Sequence, residues 1–313
     1  MISSSMRGQP AVAQKIEGPD FICIGLPRAA TGWLYDQLLF HPDFWMPPIK
    51  EIGYLSRKTG SFDSCEIDLM RLENPEPVPA RRQDKGRKGL IARRADRERD
   101  CAFYAVAKDL HGRPRNIQGY KELFAPKGQR ISGDVTPGYC RIGGDFVSKI
   151  GAKLPGTKVL LIVRDPVARI WSEMCRSRRR LKVETGLLDD PEAVRQYLAP
   201  KGALRKRIPR PARIAARWKK QASQMPFRHF MFDDIVDDAE GTFREIVAYL
   251  GGDPAKRADQ FAPEFNRKSS KRQFEMSDDV RAVLAELLRD DLKECAAAFG
   301  GHAEKWAEKY GVA

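Results

Sequence analysis

Histidine and cysteine are scarce in this chain, and those present are scattered. Four histidines occur in 313 residues, and no histidine–carboxylate cluster with metal-ligand spacing accompanies them, so the sequence predicts no metal centre. His41 precedes Pro42 and reads as structural; His111, His229 and His302 stand in no motif. The six cysteines (Cys23, Cys65, Cys101, Cys140, Cys175, Cys295) form no C-x-x-C pair, which excludes a zinc ribbon or a dithiol redox motif and leaves reduced thiols. Long hydrophobic runs are missing too: no apolar stretch approaches the roughly 18 residues of a membrane span, and residues 1–20 hold no signal-peptide core. The expectation is a cytoplasmic protein without membrane insertion. Acidic residues are outnumbered, 42 Asp+Glu against 56 Lys+Arg, and the formal charge of +14 favours an anionic partner. Nucleotides, sulfated sugars, nucleic acids and membrane surfaces all qualify, but no nucleic-acid motif or interleaved aromatic platform occurs, so nucleic acid is not expected.

What is present is an α/β pattern with enough apolar residues, 42%, for a sizeable core. Phe21 to Gly25 is a short continuous apolar run, as a buried parallel strand requires, and a helical stretch from Trp33 to Phe40 comes after a loop. The pattern recurs at Lys158 to Val163, with Arg164-Asp165-Pro166 leading into a helix from Val167 to about Arg178; proline suits a first helical turn. Shorter strand candidates are Arg130 to Gly133 and His229 to Phe232. Helices are expected over Glu240 to Leu250 and from an N-capping Ser277 to about Phe299. Such alternation implies a mainly parallel sheet covered on both faces. Residues 1–20 read as a flexible N-terminus, and 21–313 as a single domain with a basic insertion around 58–115. The excess charge concentrates at 176–220, where 15 Lys/Arg face 4 Asp/Glu.

Two loops carry the chemistry. A loop between a buried strand and a helix offers backbone N–H groups and the positive helix end to an anion. Leu26-Pro27-Arg28-Ala29-Ala30-Thr31-Gly32 is such a loop, yet it departs from the G-x-x-x-x-G-K-[ST] motif because Ala30 stands where the lysine belongs, which disfavours an ordinary ATPase or kinase. Arg28 and Thr31 remain as its cation and hydroxyl. The second loop sets Arg164 at a strand end and Ser172 two turns into the next helix. Two anion sites at one sheet edge suit a nucleotide phosphorylated at both ends of its ribose.

The run Gly25-Leu26-Pro27-Arg28-Ala29-Ala30-Thr31-Gly32-Trp33-Leu34, then His41-Pro42, Lys50-Glu51, Gly133-Asp134-Val135-Thr136-Pro137-Gly138-Tyr139 and Arg164-Asp165-Pro166 through Ser172, resembles the sulfotransferases that use 3′-phosphoadenosine 5′-phosphosulfate (PAPS). The carbohydrate, heparan-sulfate-type branch is the nearest in flavour. The resemblance spans roughly residues 20–310 and implies a P-loop-like three-layer fold. It implies that Arg28, Ala29, Ala30, Thr31, Gly32 and Trp33 hold the 5′-phosphosulfate and that Arg164 and Ser172 hold the 3′-phosphate. A basic loop near the C-terminus would close over the nucleotide, matched here by Lys271 and Arg272. No metal is implied. Departures are specific: Ala30-Thr31-Gly32 replaces the usual G-T-T or G-T-S, and Val135 occupies the second lysine position of the carbohydrate enzymes, which argues against a heparan-type acceptor.

Sulfuryl transfer needs an in-line nucleophile and stabilisation of the leaving phosphate, with little covalent work for the protein. Arg28 is the candidate for stabilising the leaving group, and Glu51 matches the glutamate that serves as base in heparan-type relatives. Asp134 is a second candidate base or an anchor for its loop. The expected partners are PAPS and a hydroxyl-bearing acceptor, such as a carbohydrate or glycolipid. Competing readings are a non-catalytic polyanion or nucleotide binder of the same fold and a nucleotide kinase.

Overall fold

A computed structural model describes residues 17–56, 96–181, 190–198, 208–256 and 275–312. Its centre is a four-stranded, wholly parallel sheet in the order β2-β1-β3-β4. The strands are β1 (Phe21–Gly25), β2 (Gly133–Val135), β3 (Lys158–Val163) and β4 (Phe227–Met231). Every residue of β1 is buried, as are five of the six in β3, which explains why both read as unbroken apolar runs rather than alternating ones. Gly133 lies opposite Phe21, where a Cβ would come within 2.5 Å of the phenyl ring, so only glycine allows β2 to pair there.

Helices precede, connect and cover the strands. They are α1 (Thr31–Phe40), α2 (Arg97–Leu110), α3 (Ile117–Glu122), α4 (Gly144–Lys153), α5 (Pro166–Leu181) and α6 (Pro191–Leu198). The remainder are α7 (Pro211–Gln221), α8 (Phe232–Asp237), α9 (Ala239–Leu250), α10 (Asp278–Leu287), α11 (Arg289–Phe299) and α12 (His302–Lys309).

Several boundaries differ from expectation. The strand expected at 130–133 starts only at Gly133, while Ile131 makes a single parallel bridge to Phe44. The helix expected from Ser277 to Phe299 begins as read, with Ser277 Oγ accepting from the Val280 N–H, but divides at Leu288. There the backbone leaves the helical region and one N–H is shared between the Glu286 and Leu284 carbonyls, with no glycine or proline to announce it. Residues 57–95, most of the expected insertion, lie outside the described residues. Helix α2, on their C-terminal side, buries Phe103, Ala107 and Leu110 in the core and fixes Trp45 through Asp100 (3.1 Å).

Part of the basic segment 176–220 has a structural use. Arg195 pairs with Glu286, Arg210 with Asp291 and Glu294, and Arg213 with Glu294, tying α6 and α7 to α10 and α11. The side chains of Arg178, Arg179 and Arg180 lie outside the described ones. Cys23, Cys101, Cys140, Cys175 and Cys295 are free thiols, and burial pushes Cys23 and Cys295 up to about 12, far from a reactive thiolate. No described helix is long and apolar enough to cross a membrane.

The strand order places the site. From β1 the chain runs outward to β2, and from β3, its neighbour on the other side, it runs outward to β4. Loops that leave two adjacent parallel strands in opposite directions open a crevice at the strands' C-terminal ends.

Candidate functional site

Arg28 lies just after β1 on one rim of that crevice and Arg164 just after β3 on the other. The structure brings them into contact: Arg164 Nη1 donates to the Arg28 carbonyl at 2.7 Å, and Arg28 Nε donates to Ser172 Oγ at 3.0 Å. Residues 136 positions apart thus form one group, in which the Ser172 hydroxyl accepts from Arg28. The Arg164 guanidinium also stacks over the Phe232 ring, 4.2 Å from its centroid. Burial first, and the like charge of Arg28 as well, pull Arg164 below the usual arginine range, while Asp165 and Asp233 work the other way. Two neighbouring guanidiniums in a partly desolvated crevice make a strong anion trap.

Backbone donors add to it. Arg28 and Ala30 are non-glycine residues with φ of 69° and 58°, the left-handed region that an L side chain enters at a cost. This curls the chain so that α1 starts at Thr31 with no side chain capping it, and its first N–H groups point into the loop. Thr31 is buried, and Trp33, also buried, packs edge-on against Phe243 at 6.1 Å. One turn before Ser172, Arg169 is 2% exposed and its Nη2 has no partner among the described residues; burial pushes it down to about 10.

The two candidate bases have different surroundings. Glu51 is solvent-exposed, has φ 61° and pairs with Lys50 Nζ at 2.8 Å. Asp134 is 1% exposed and accepts from three hydroxyls: Thr136 (2.6 Å), Tyr139 (2.6 Å) and Tyr120 (3.2 Å). Two of these hydroxyls in turn accept backbone N–H groups from the segment just after Glu51: Thr136 Oγ1 from Gly53 (3.1 Å) and Tyr139 Oη from Leu55 (3.2 Å). Asp134 therefore acts on the Glu51 loop through intermediaries. Burial raises its carboxyl to about 6 against the lowering effect of the hydroxyls, and Glu51 adds to the rise. The two carboxylates are close enough to feel each other.

His41 is buried between Phe44 and Phe243 and bonded to the Asp253 carbonyl, a structural role as expected. Lys271 and Arg272 lie outside the described residues. Sequence reasoning named no site role for Phe232, Thr136, Tyr139 or Tyr310. Thr136 and Tyr139 carried a signal as neighbours of Asp134 in the run from Gly133 to Tyr139. Phe232 lay in the run Phe230 to Ile235, which resembles an aromatic-plus-acidic segment of the family and reads as structural, and Tyr310 carried none. Among the described residues no group of His, Cys, Asp and Glu could hold a metal ion.

Comparisons with known proteins bear on the family and the fold. No curated protein sequence matches the chain. A solved sulfotransferase from Alicyclobacillus acidocaldarius superposes with a TM-score of 0.57 at 21% identity, covering 92% of this chain and 98% of the other. The sulfotransferase domain from the curacin biosynthetic pathway (TM-score 0.45, 14% identity, 86% and 97% coverage) is more distant. So is the domain from the Synechococcus PCC 7002 olefin synthase (0.44, 15%, 97% and 98%). The first of these establishes the shared α/β fold. A family model described as "Sulfotransferase family" matches residues 19–254, which include both rims of the crevice and the Glu51 and Asp134 segments, and the chain belongs to that family.

Proposed function

We propose that the protein transfers a sulfuryl group from PAPS to an acceptor hydroxyl. The observation that carries this reading is the contact of Arg28, Ser172 and Arg164 at the β1–β3 crevice, two cationic side chains and a hydroxyl converging beside the open end of α1. The crevice fits a nucleotide with an anionic group at each end: the α1 amides and Arg28 for the 5′-phosphosulfate, Ser172 and Arg164 for the 3′-phosphate. When bound, the nucleotide supplies an activated sulfuryl group on a phosphate leaving group.

Arg28 donates to the leaving oxygen as charge gathers there, and removal of one such preorganised donor typically costs about 3 kcal/mol of barrier. Glu51 receives the acceptor's proton as its oxygen bonds to sulfur, a contribution of about 10²–10⁴-fold. Lys50 orients the Glu51 carboxylate, and Asp134 holds the loop that carries it. The resemblance to carbohydrate enzymes supports a sugar or glycolipid hydroxyl as acceptor, and Val135 in place of their lysine speaks against a heparan-type chain. Five free thiols support work in a reducing, cytoplasmic setting. The partly internal pairing of the basic segment weakens the polyanion-binding alternative.

Calorimetric titration with 3′-phosphoadenosine 5′-phosphate, against 5′-AMP and ATP with Mg²⁺, tests the reading. Micromolar binding that requires the 3′-phosphate is expected. Equal affinity for 5′-AMP overturns it.

A further inference from the structure

Beyond residue 254, where the family match ends, the chain folds back onto the β3 rim. Among the described residues, helix α12 and the residue after it make three side-chain hydrogen bonds to the body of the fold, all to residues flanking Arg164 in sequence or in space. Tyr310 Oη donates to Asp165 Oδ2 at 2.7 Å, Trp306 Nε1 donates to Asp233 Oδ1 at 3.1 Å, and His302 Nε2 meets Asp234 Oδ1 at 3.0 Å. Asp165 is the chain neighbour of Arg164. Its other oxygen, Oδ1, accepts the N–H groups of Val167 (2.8 Å) and Ala168 (3.3 Å) and so fixes the start of α5, the helix that carries Ser172. Asp233 and Asp234 come directly after Phe232, the ring on which Arg164 stacks. The guanidinium is thus set from both sides by one C-terminal helix, through its neighbouring residue and through its stacking platform.

We infer that Tyr310 is a positioning residue for the 3′-phosphate site, and that α12 latches Arg164 and Ser172 into their phosphate-holding geometry. The inference rests on the proposed PAPS reading. Its physical content is a matter of competition. With Oδ1 taken by two N–H groups and Oδ2 by the Tyr310 hydroxyl, Asp165 pulls less on the arginine beside it, and the Arg164 guanidinium is left for the ligand. Without the Tyr310 hydroxyl, a buried carboxylate oxygen beside Arg164 lacks a donor, and the two cations that interact with Asp165, Arg164 and Lys309, are drawn to it. An arginine turned toward Asp165 is lost to the phosphate.

The test compares wild type with Tyr310→Phe and Trp306→Phe in calorimetric titrations with 3′-phosphoadenosine 5′-phosphate and with 5′-AMP, alongside thermal melts. In Tyr310→Phe, affinity for the 3′-phosphorylated nucleotide is expected to fall about tenfold, the scale of one lost charge-assisted contact, with 5′-AMP binding unchanged. Trp306→Phe shifts the same preference in the same direction by a smaller factor. Equal weakening of both nucleotides, or a lowered melting temperature with the preference intact, shows a merely structural helix and overturns the inference while the PAPS reading stands. A wild-type protein with no preference for the 3′-phosphate overturns both together.

Discussion

The two rims of the crevice are built from the same strand-loop-helix unit and end in opposite states. After β1, the loop enters left-handed backbone at Arg28 and Ala30, and α1 begins without a side-chain cap, its first N–H groups open. After β3, Asp165 turns back and takes the N–H groups of Val167 and Ala168, so α5 begins already capped. A capped helix start has little backbone left for a ligand, and binding on that rim falls to side chains, Arg164 and Ser172. An open one binds through the main chain, where side-chain identity matters less. In the proposed reading this difference lets the first loop do with Ala30-Thr31-Gly32, one hydroxyl fewer than G-T-T or G-T-S, while the second keeps its arginine and serine.

The two rims should part most clearly at Arg28, the only side chain proposed to act on the leaving group. Arg28→Ala is expected to lower turnover by about 10²–10³-fold in a sulfuryl-transfer assay at saturating nucleotide. A loss under tenfold would place the whole burden on the α1 amides. Arg164→Ala tests the other rim: nucleotide affinity is expected to fall by about 10–100-fold by calorimetry, with 5′-AMP affinity little changed. Loss of both in parallel would mean that the rims do not divide the ligand between them.

Asp134 is tied to the segment after Glu51 through Thr136 and Tyr139. Its carboxyl is raised from 3.8 to about 6, so between about pH 4 and pH 6 the folded protein holds a proton that the unfolded chain has released. Folding stability from this group therefore falls as pH rises through that window. Denaturant unfolding of wild type and Asp134→Asn at pH 4.5 and pH 6.5 should show wild type losing ground to the variant at the higher pH. The smallest effect is expected at Ala30. Glycine enters the left-handed region freely, so Ala30→Gly should stabilise the protein by up to about 1 kcal/mol in thermal or urea unfolding and leave nucleotide binding in place.

Much of this was legible in the sequence because the signals were local. An unbroken apolar run with a loop and a helix after it marked β1 and β3, and the arginine at the end of each marked the crevice. The parallel pairing that joins them is what the alternation of strands and helices implies. The illegible part depends on partners distant in sequence. Tyr120 lies 14 residues from Asp134, and nothing near Asp134 states that the two converge, so the sequence alone does not tell base from anchor there. Tyr310 lies 145 residues from Asp165, and no spacing rule connects a tyrosine after one helix to the cap of another. The division at Leu288 lacks the glycine or proline that normally marks a helix end.

The central pairing of β1 with β3 also has a kinetic consequence. Arg28 and Arg164 are 136 residues apart, and in the proposed reading neither rim holds the nucleotide's two ends alone. The strand that separates the halves in sequence, β2, docks on the far side of β1, so the crevice exists only after the non-local parallel pair has closed. Parallel pairing across such a separation is slow to form because loop closure precedes any gain from contact. The nucleotide therefore cannot serve as an early template for folding: it can only capture chains whose sheet is complete, and its protection is expected to appear as slower unfolding rather than as faster folding.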